Sequence, residues 1–121
     1  MSAAVWVAVA ALGGVGASAR FLADRAISAR AGRAFPFGTL AINTSGSLVL
    51  GLLTGLAVSG DALLIAGTAT IGSYTTFSTW MFETQRLAED GELRGAALNI
   101  VVSLLAGVAA AALGRVIGAH A

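Results

Sequence analysis

The chain has 121 residues, 57% of them hydrophobic and 11% charged, with a formal net charge of +1. A soluble domain carries about 25% charged residues, so this composition excludes an ordinary water-soluble fold. Cysteine is absent, which excludes disulfides and thiolate ligands, and every basic residue is an isolated Arg, with no basic run suited to nucleic acid.

The charges leave four charge-free runs: residues 1–19, 34–60, 62–82 and 95–114. Crossing a bilayer core of roughly 30 Å takes about 20 apolar residues as a helix. Only helices and closed barrels satisfy their backbone in hydrocarbon. Barrel strands alternate apolar with polar residues, and these runs do not. The expectation is an all-α integral membrane protein of one domain, residues 1–121, with helices over 3–29, 36–59, 62–89 and 93–117.

The first run lacks the basic start of a secretory signal, since Met1 to Ala11 holds no Lys or Arg. Ala17-Ser18-Ala19 is the one cleavage-like feature, and the run is read as a retained helix. Gly14-Val15-Gly16 superficially fits a dinucleotide glycine motif. No strand–turn–helix context surrounds it, and close helix packing is the better reading. Arg25, Arg30 and Arg33 mark the first loop, with Gly32 as a turn residue and Pro36 in the first turn of the second helix.

The second helix carries Thr39, Asn43 and Ser47 on one face. A carboxamide in hydrocarbon needs a partner or a watery path, so Asn43 is either interhelical glue or part of a polar track. Ser47, Gly51, Gly55 and Ser59 form a small-residue stripe. Ser103, Gly107 and Ala111 form another on the last helix, with a Gly114–Gly118 step beside it. Gly60 and Gly91 mark the remaining loops.

The third helix is the unusual one. Its middle reads Gly72-Ser73-Tyr74-Thr75-Thr76-Phe77-Ser78-Thr79-Trp80. Gly, Ser and Thr weaken a helix. The stretch therefore reads either as a break or as a helix whose hydroxyls bond back to earlier carbonyls. Glu83 follows, as the lining of an entrance or as an interfacial residue paired with Arg86 or Arg20. Arg86 and Arg94 fall on the same side as the first loop, against Arg115 and Asp61 on the other, so the positive-inside contrast is weak. His120 is a tail residue.

These residues carry a resemblance. Gly13-Gly14-Val15-Gly16-Ala17-Ser18-Ala19-Arg20-Phe21, Gly38-Thr39-Leu40-Ala41-Ile42-Asn43-Thr44-Ser45-Gly46-Ser47, the Gly72–Trp80 run with Glu83, and more weakly Asn99, Ser103 and Gly107 occur in order in the expected helices. The chain resembles the Fluc (CrcB) family of small fluoride channels over nearly its full length. The resemblance implies four transmembrane helices with the third broken near its middle. It implies an antiparallel, dual-topology homodimer with two pores, its small-residue stripes serving as dimer surfaces, and a structural sodium ion held by the main-chain carbonyls of Gly72 and Thr75. Asn43, Phe77, Trp80, Thr39, Thr79, Ser103 and Glu83 are the implied fluoride-path residues. Trp80 stands where the family has a second Phe, offering a ring edge, an extra N–H donor or a narrower pore. Gly72-Ser73 stands where the family has Gly-Gly. Some family members pair as two dissimilar chains, so a paralogous partner is the alternative to self-pairing.

The implied function is passive export of cytoplasmic fluoride across the cell membrane, without enzymatic chemistry. Membrane lipid and fluoride are the expected partners, and nucleic acid is not. The alternatives are a proton-coupled small multidrug-type exporter and a non-transporting assembly subunit. The former needs a carboxylate inside the first helix, where residues 1–19 have none.

Overall fold

The computed structural model describes all 121 residues and contains only helices and turns. Helix α1 covers Ala3–Ala31, α2 Phe37–Gly55 and α6 Leu93–Ala119. Between α2 and α6 the third helix is assembled from pieces: α3 (Gly60–Leu63), a π-helix (Leu64–Ile71), α4 (Gly72–Tyr74) and, after a non-helical Thr75–Phe77, α5 (Ser78–Glu89). Helices α1, α2 and α6 are each long and apolar enough to cross a membrane. The chain is a multi-pass integral membrane protein of four helices, one of them broken.

Ser2 caps α1 by accepting the Val5 N–H. Gly32, Gly60 and Gly91 all hold positive φ, so the three expected turn residues sit at the three loops. Several helix ends depart from expectation by one or two residues, and the end of α2 by more. Pro36 caps α2 instead of entering it, and α2 stops at Gly55, four residues early. The early stop is a Schellman closure. Ala57 donates its N–H to the Thr54 carbonyl, and Val58 donates to Leu53. Ala57 takes the left-handed position at φ 57°, where glycine is usual, so no local signal announced it.

The π-helix was also unexpected. Its sequence, Leu64-Ile65-Ala66-Gly67-Thr68-Ala69-Thr70-Ile71, is ordinary apolar helix composition. Thr70 Oγ1 donates to the Ile65 carbonyl five residues back, at 2.7 Å, in keeping with the wider winding. Tertiary contact accompanies this geometry. A Cβ on Gly16 of α1 would collide with the Thr70 carbonyl, so α1 rests backbone-to-backbone on the π-helix.

The small-residue stripes act within the chain. A Cβ at Gly51 would strike Ala111, one at Gly55 Arg115, one at Gly114 Leu48 and one at Gly118 Leu52, all on main-chain atoms. Four glycines thus bring α2 and α6 into direct backbone contact. The stripes implied as dimer surfaces are in large part consumed by this intrachain pairing. Only 16 residues are buried, while Trp6, Phe21, Leu105 and Val108 are exposed. Such an apolar exterior suits lipid or a partner, not water.

Candidate functional site

The break that the resemblance implies lies within the polar run, where the residues alone also left a continuous helix open, and Asn43 braces it. Its Nδ2 donates to the Thr76 carbonyl at 2.9 Å, and its Oδ1 accepts the Thr76 N–H at 2.8 Å. The Thr76 N–H that would have continued the helix is therefore taken by a side chain 33 residues away. The Thr79 N–H likewise goes to Thr76 Oγ1 at 3.2 Å. In a continuous helix those two N–H groups would pair with the carbonyls of Gly72 and Thr75. Neither does so here. Both carbonyls named from the sequence thus lose their helical partners.

Asn43 is glue and more. Its carboxamide has two N–H donors, and only one goes to Thr76. The residue also lines two grooves. The first, of about 430 Å³, brings Asn43 together with Gly72, Thr75, Thr76, Phe77 and Trp80. The second, of about 320 Å³, joins Asn43, Ser47 and Trp80 of α2 and α5 to Ser103 and Gly107 of α6. Ser103 Oγ is buried there without a hydrogen-bond partner. No charged side chain lines either groove.

Phe77 is 70% exposed at the mouth of the first groove. It meets Trp80 in a T-shaped pair, centroids 5.7 Å apart and planes at 84°. The Trp80 indole N–H is committed, donating to the Asn99 main-chain carbonyl at 3.0 Å. The Thr75 side chain turns away, with Oγ1 on the Ile71 carbonyl and its methyl against Gly46. Any ligand role for Thr75 therefore falls to its main chain.

Thr39 and Thr79 open elsewhere. With Arg20, Asp24 and Thr76 they line a separate cleft of about 220 Å³. Thr39 is buried, and its hydroxyl donates to Glu83 Oε1. Glu83 thus pairs with Thr39, and neither Arg86 nor Arg20 forms an ion pair with it. Thr76, which lines both this cleft and the first groove, was not nominated from the sequence. Its main-chain atoms bond Asn43, which leaves no mark on residue type, while its hydroxyl accepts the Thr79 N–H at the start of α5, a signal that a Thr three residues before Thr79 could have given. Arg33 and Arg86 share a surface pocket, so the first and third loops lie at one end of the bundle, as the charge reading required.

The pattern described as CrcB-like protein, Camphor Resistance (CrcB), matches residues 7–115. The chain belongs to the CrcB family. It is 59% identical over 112 residues to a CrcB relative from Mycolicibacterium paratuberculosis, named fluoride-specific ion channel FluC 2, covering 93% of this chain and 92% of that one. A FluC 2 from Mycobacterium tuberculosis is 52% identical over 115 residues, 95% of this chain and 91% of the other. A FluC 1 from Streptomyces avermitilis is 46% identical, with 90% and 91% covered. CrcB proteins are channels, and this chain is not an enzyme.

Proposed function

We propose that this chain is the subunit of a passive, fluoride-selective channel that lets cytoplasmic fluoride leave the cell. The observation that carries the reading is the Asn43 brace. One carboxamide braces the break in the third helix and keeps an N–H beside two adjoining grooves, one lined by Phe77 and Trp80, the other by Trp80 and Ser103. Fluoride is small and strongly hydrated, so a pore must replace its water with other donors. Amide N–H, hydroxyl O–H and electropositive ring edges do so without full charge, and conduction needs binding that is favourable but shallow. The relatives' shared name points to the same ion.

The subunits pair antiparallel, as a homodimer or with a paralogue, and enclose two pores. The single-chain grooves are half-sites that the partner completes. The weak charge asymmetry supports insertion in both orientations. Thr39, Thr79 and Glu83 supply polar groups at a pore end, since Thr76 lies between their cleft and the main groove. A structural sodium fits the unpaired Gly72 and Thr75 carbonyls, which are hard neutral oxygen donors of the kind unwound membrane helices offer to sodium. No cluster of acidic or imidazole ligands is required. A bound sodium would neutralise these carbonyl dipoles and raise the potential felt by a nearby anion.

Liposomes containing the purified chain and loaded with both anions test the channel reading. Fluoride should leave, read by a fluoride electrode, while chloride stays. Equal loss of both, or no flux from folded protein, rejects it.

A further inference from the structure

Trp80 is tied to α6 firmly at its indole and weakly at its main chain, where Thr84 of its own helix α5 is the nearer partner. Its indole N–H donates to the Asn99 main-chain carbonyl at 3.0 Å. Its main-chain carbonyl accepts the Thr84 hydroxyl at 2.8 Å and, more weakly, Asn99 Nδ2 at 3.4 Å. Asn99 Nδ2 in turn donates to Thr84 Oγ1 at 2.8 Å. Asn99 is fully buried, one of the two largest wholly enclosed side chains in the chain, and Thr84 is buried as well. The knot ties the segment just beyond the break to α6, 19 residues further along.

We propose that Asn99 is a positioning residue for the anion path, with Thr84 as its link, and that Trp80 serves the path through its ring edge and never through its N–H. This rests on the fluoride-channel reading above. A helical carbonyl has a second lone pair to offer, so Asn99 takes the indole N–H at no cost to α6. That bond sets the plane of the indole. The Thr84 and Asn99 side chains fix the Trp80 backbone from which the ring departs. Together they leave the indole few orientations, and the one held is perpendicular to Phe77. A buried amide whose Nδ2 serves Thr84 and, more weakly, the Trp80 carbonyl, while its Oδ1 has no partner, is an expensive feature for simple glue, because an aliphatic pair of similar size would join two membrane helices without any polar group to satisfy. Here the polar groups converge on the aromatic residue that lines both grooves.

The test begins with wild-type fluoride efflux, whose failure rejects the channel reading and not this one. Trp6, exposed on α1, is then changed to Phe so that Trp80 is the sole indole. Ultraviolet resonance Raman reports whether its N–H is bonded. The bonded signature should be present without fluoride and unmoved by saturating sodium fluoride. A shift on adding fluoride makes the N–H an anion donor and overturns the proposal. In Asn99→Leu the indole signature should become heterogeneous and the fluoride-over-chloride flux ratio should fall about tenfold, the scale of one good contact. Thr84→Ser, which keeps the hydroxyl, should match wild type. If Asn99→Leu fails to assemble, Thr84→Val carries the same expectation. An unchanged indole signature and flux ratio in the folded variant, with only thermal stability lowered, reduces the knot to glue.

Discussion

Asn43 does two jobs with one side chain, and its loss should show in both flux and stability. In Asn43→Ala the Thr76 N–H and carbonyl both lose their partner, and an unsatisfied buried polar group costs about 1–3 kcal/mol. Fluoride efflux should fall at least about tenfold, and thermal unfolding followed by size in detergent should move to lower temperature. Unchanged flux with lowered stability would assign Asn43 to bracing alone. Thr39 offers a cleaner contrast. It is buried at 2% exposure against Glu83. Thr39→Val leaves the carboxylate without its donor and should destabilise by about 1–3 kcal/mol, while Thr39→Ser restores the wild-type unfolding midpoint. The site residues were nameable because the family resemblance marks them; from the residues alone, only Asn43 and the polar Gly72–Trp80 run inside charge-free stretches demanded an account. Their partners were not nameable, because Asn43 is met by the main chain of Thr76 and the Trp80 N–H is claimed by the main chain of Asn99.

Elements were legible where composition drives them and illegible where packing does. Four charge-free runs announced four helices, while the Gly-Ser-Tyr-Thr-Thr stretch allowed either a break or a back-bonded helix and the resemblance chose the break. The π-helix followed no local signal, since the winding of Leu64–Ile71 goes with the seat that Gly16 gives the Thr70 carbonyl. The end of α2 was misplaced because its left-handed residue is Ala57, not glycine. An L-residue there costs roughly 1–2 kcal/mol, partly offset by the lost freedom of a glycine on folding. Ala57→Gly should therefore raise stability by about 0.5–1 kcal/mol, read from the unfolding midpoint in denaturant. The α2–α6 contact makes the opposite case. Gly114→Val drives a side chain into the Leu48 carbonyl and should cost at least about 3 kcal/mol or abolish folding. Gly14→Ala, with open space around it, should leave stability unchanged or slightly improved.

For the whole molecule, the apolar exterior and the half-open grooves together call for a partner. If that partner is an inverted copy, a label at Arg33, exposed in the first loop, should react from both sides of the membrane in active vesicles. Reaction from one side only would reject antiparallel assembly. Exchanging sodium for a large organic cation at constant ionic strength, with long equilibration, should lower both fluoride flux and dimer stability. Full activity in sodium-free protein would reject the cation site while leaving conduction intact.

The glycine contact between α2 and α6 also sets a clock. Gly51 meets Ala111, 60 residues later in the chain. At a synthesis rate of roughly 5–20 residues per second, α2 waits on the order of 3–12 s before the matching stretch of α6 has been made. During that interval its glycine-rich face has only lipid, or another chain's α2, to lie against. Biogenesis of this small protein therefore passes through a sticky, half-built stage whose lifetime is set by the ribosome. Slowing translation between residues 60 and 111 should lengthen that stage and raise the yield of misassembled chains, while leaving the finished fold as stable as before.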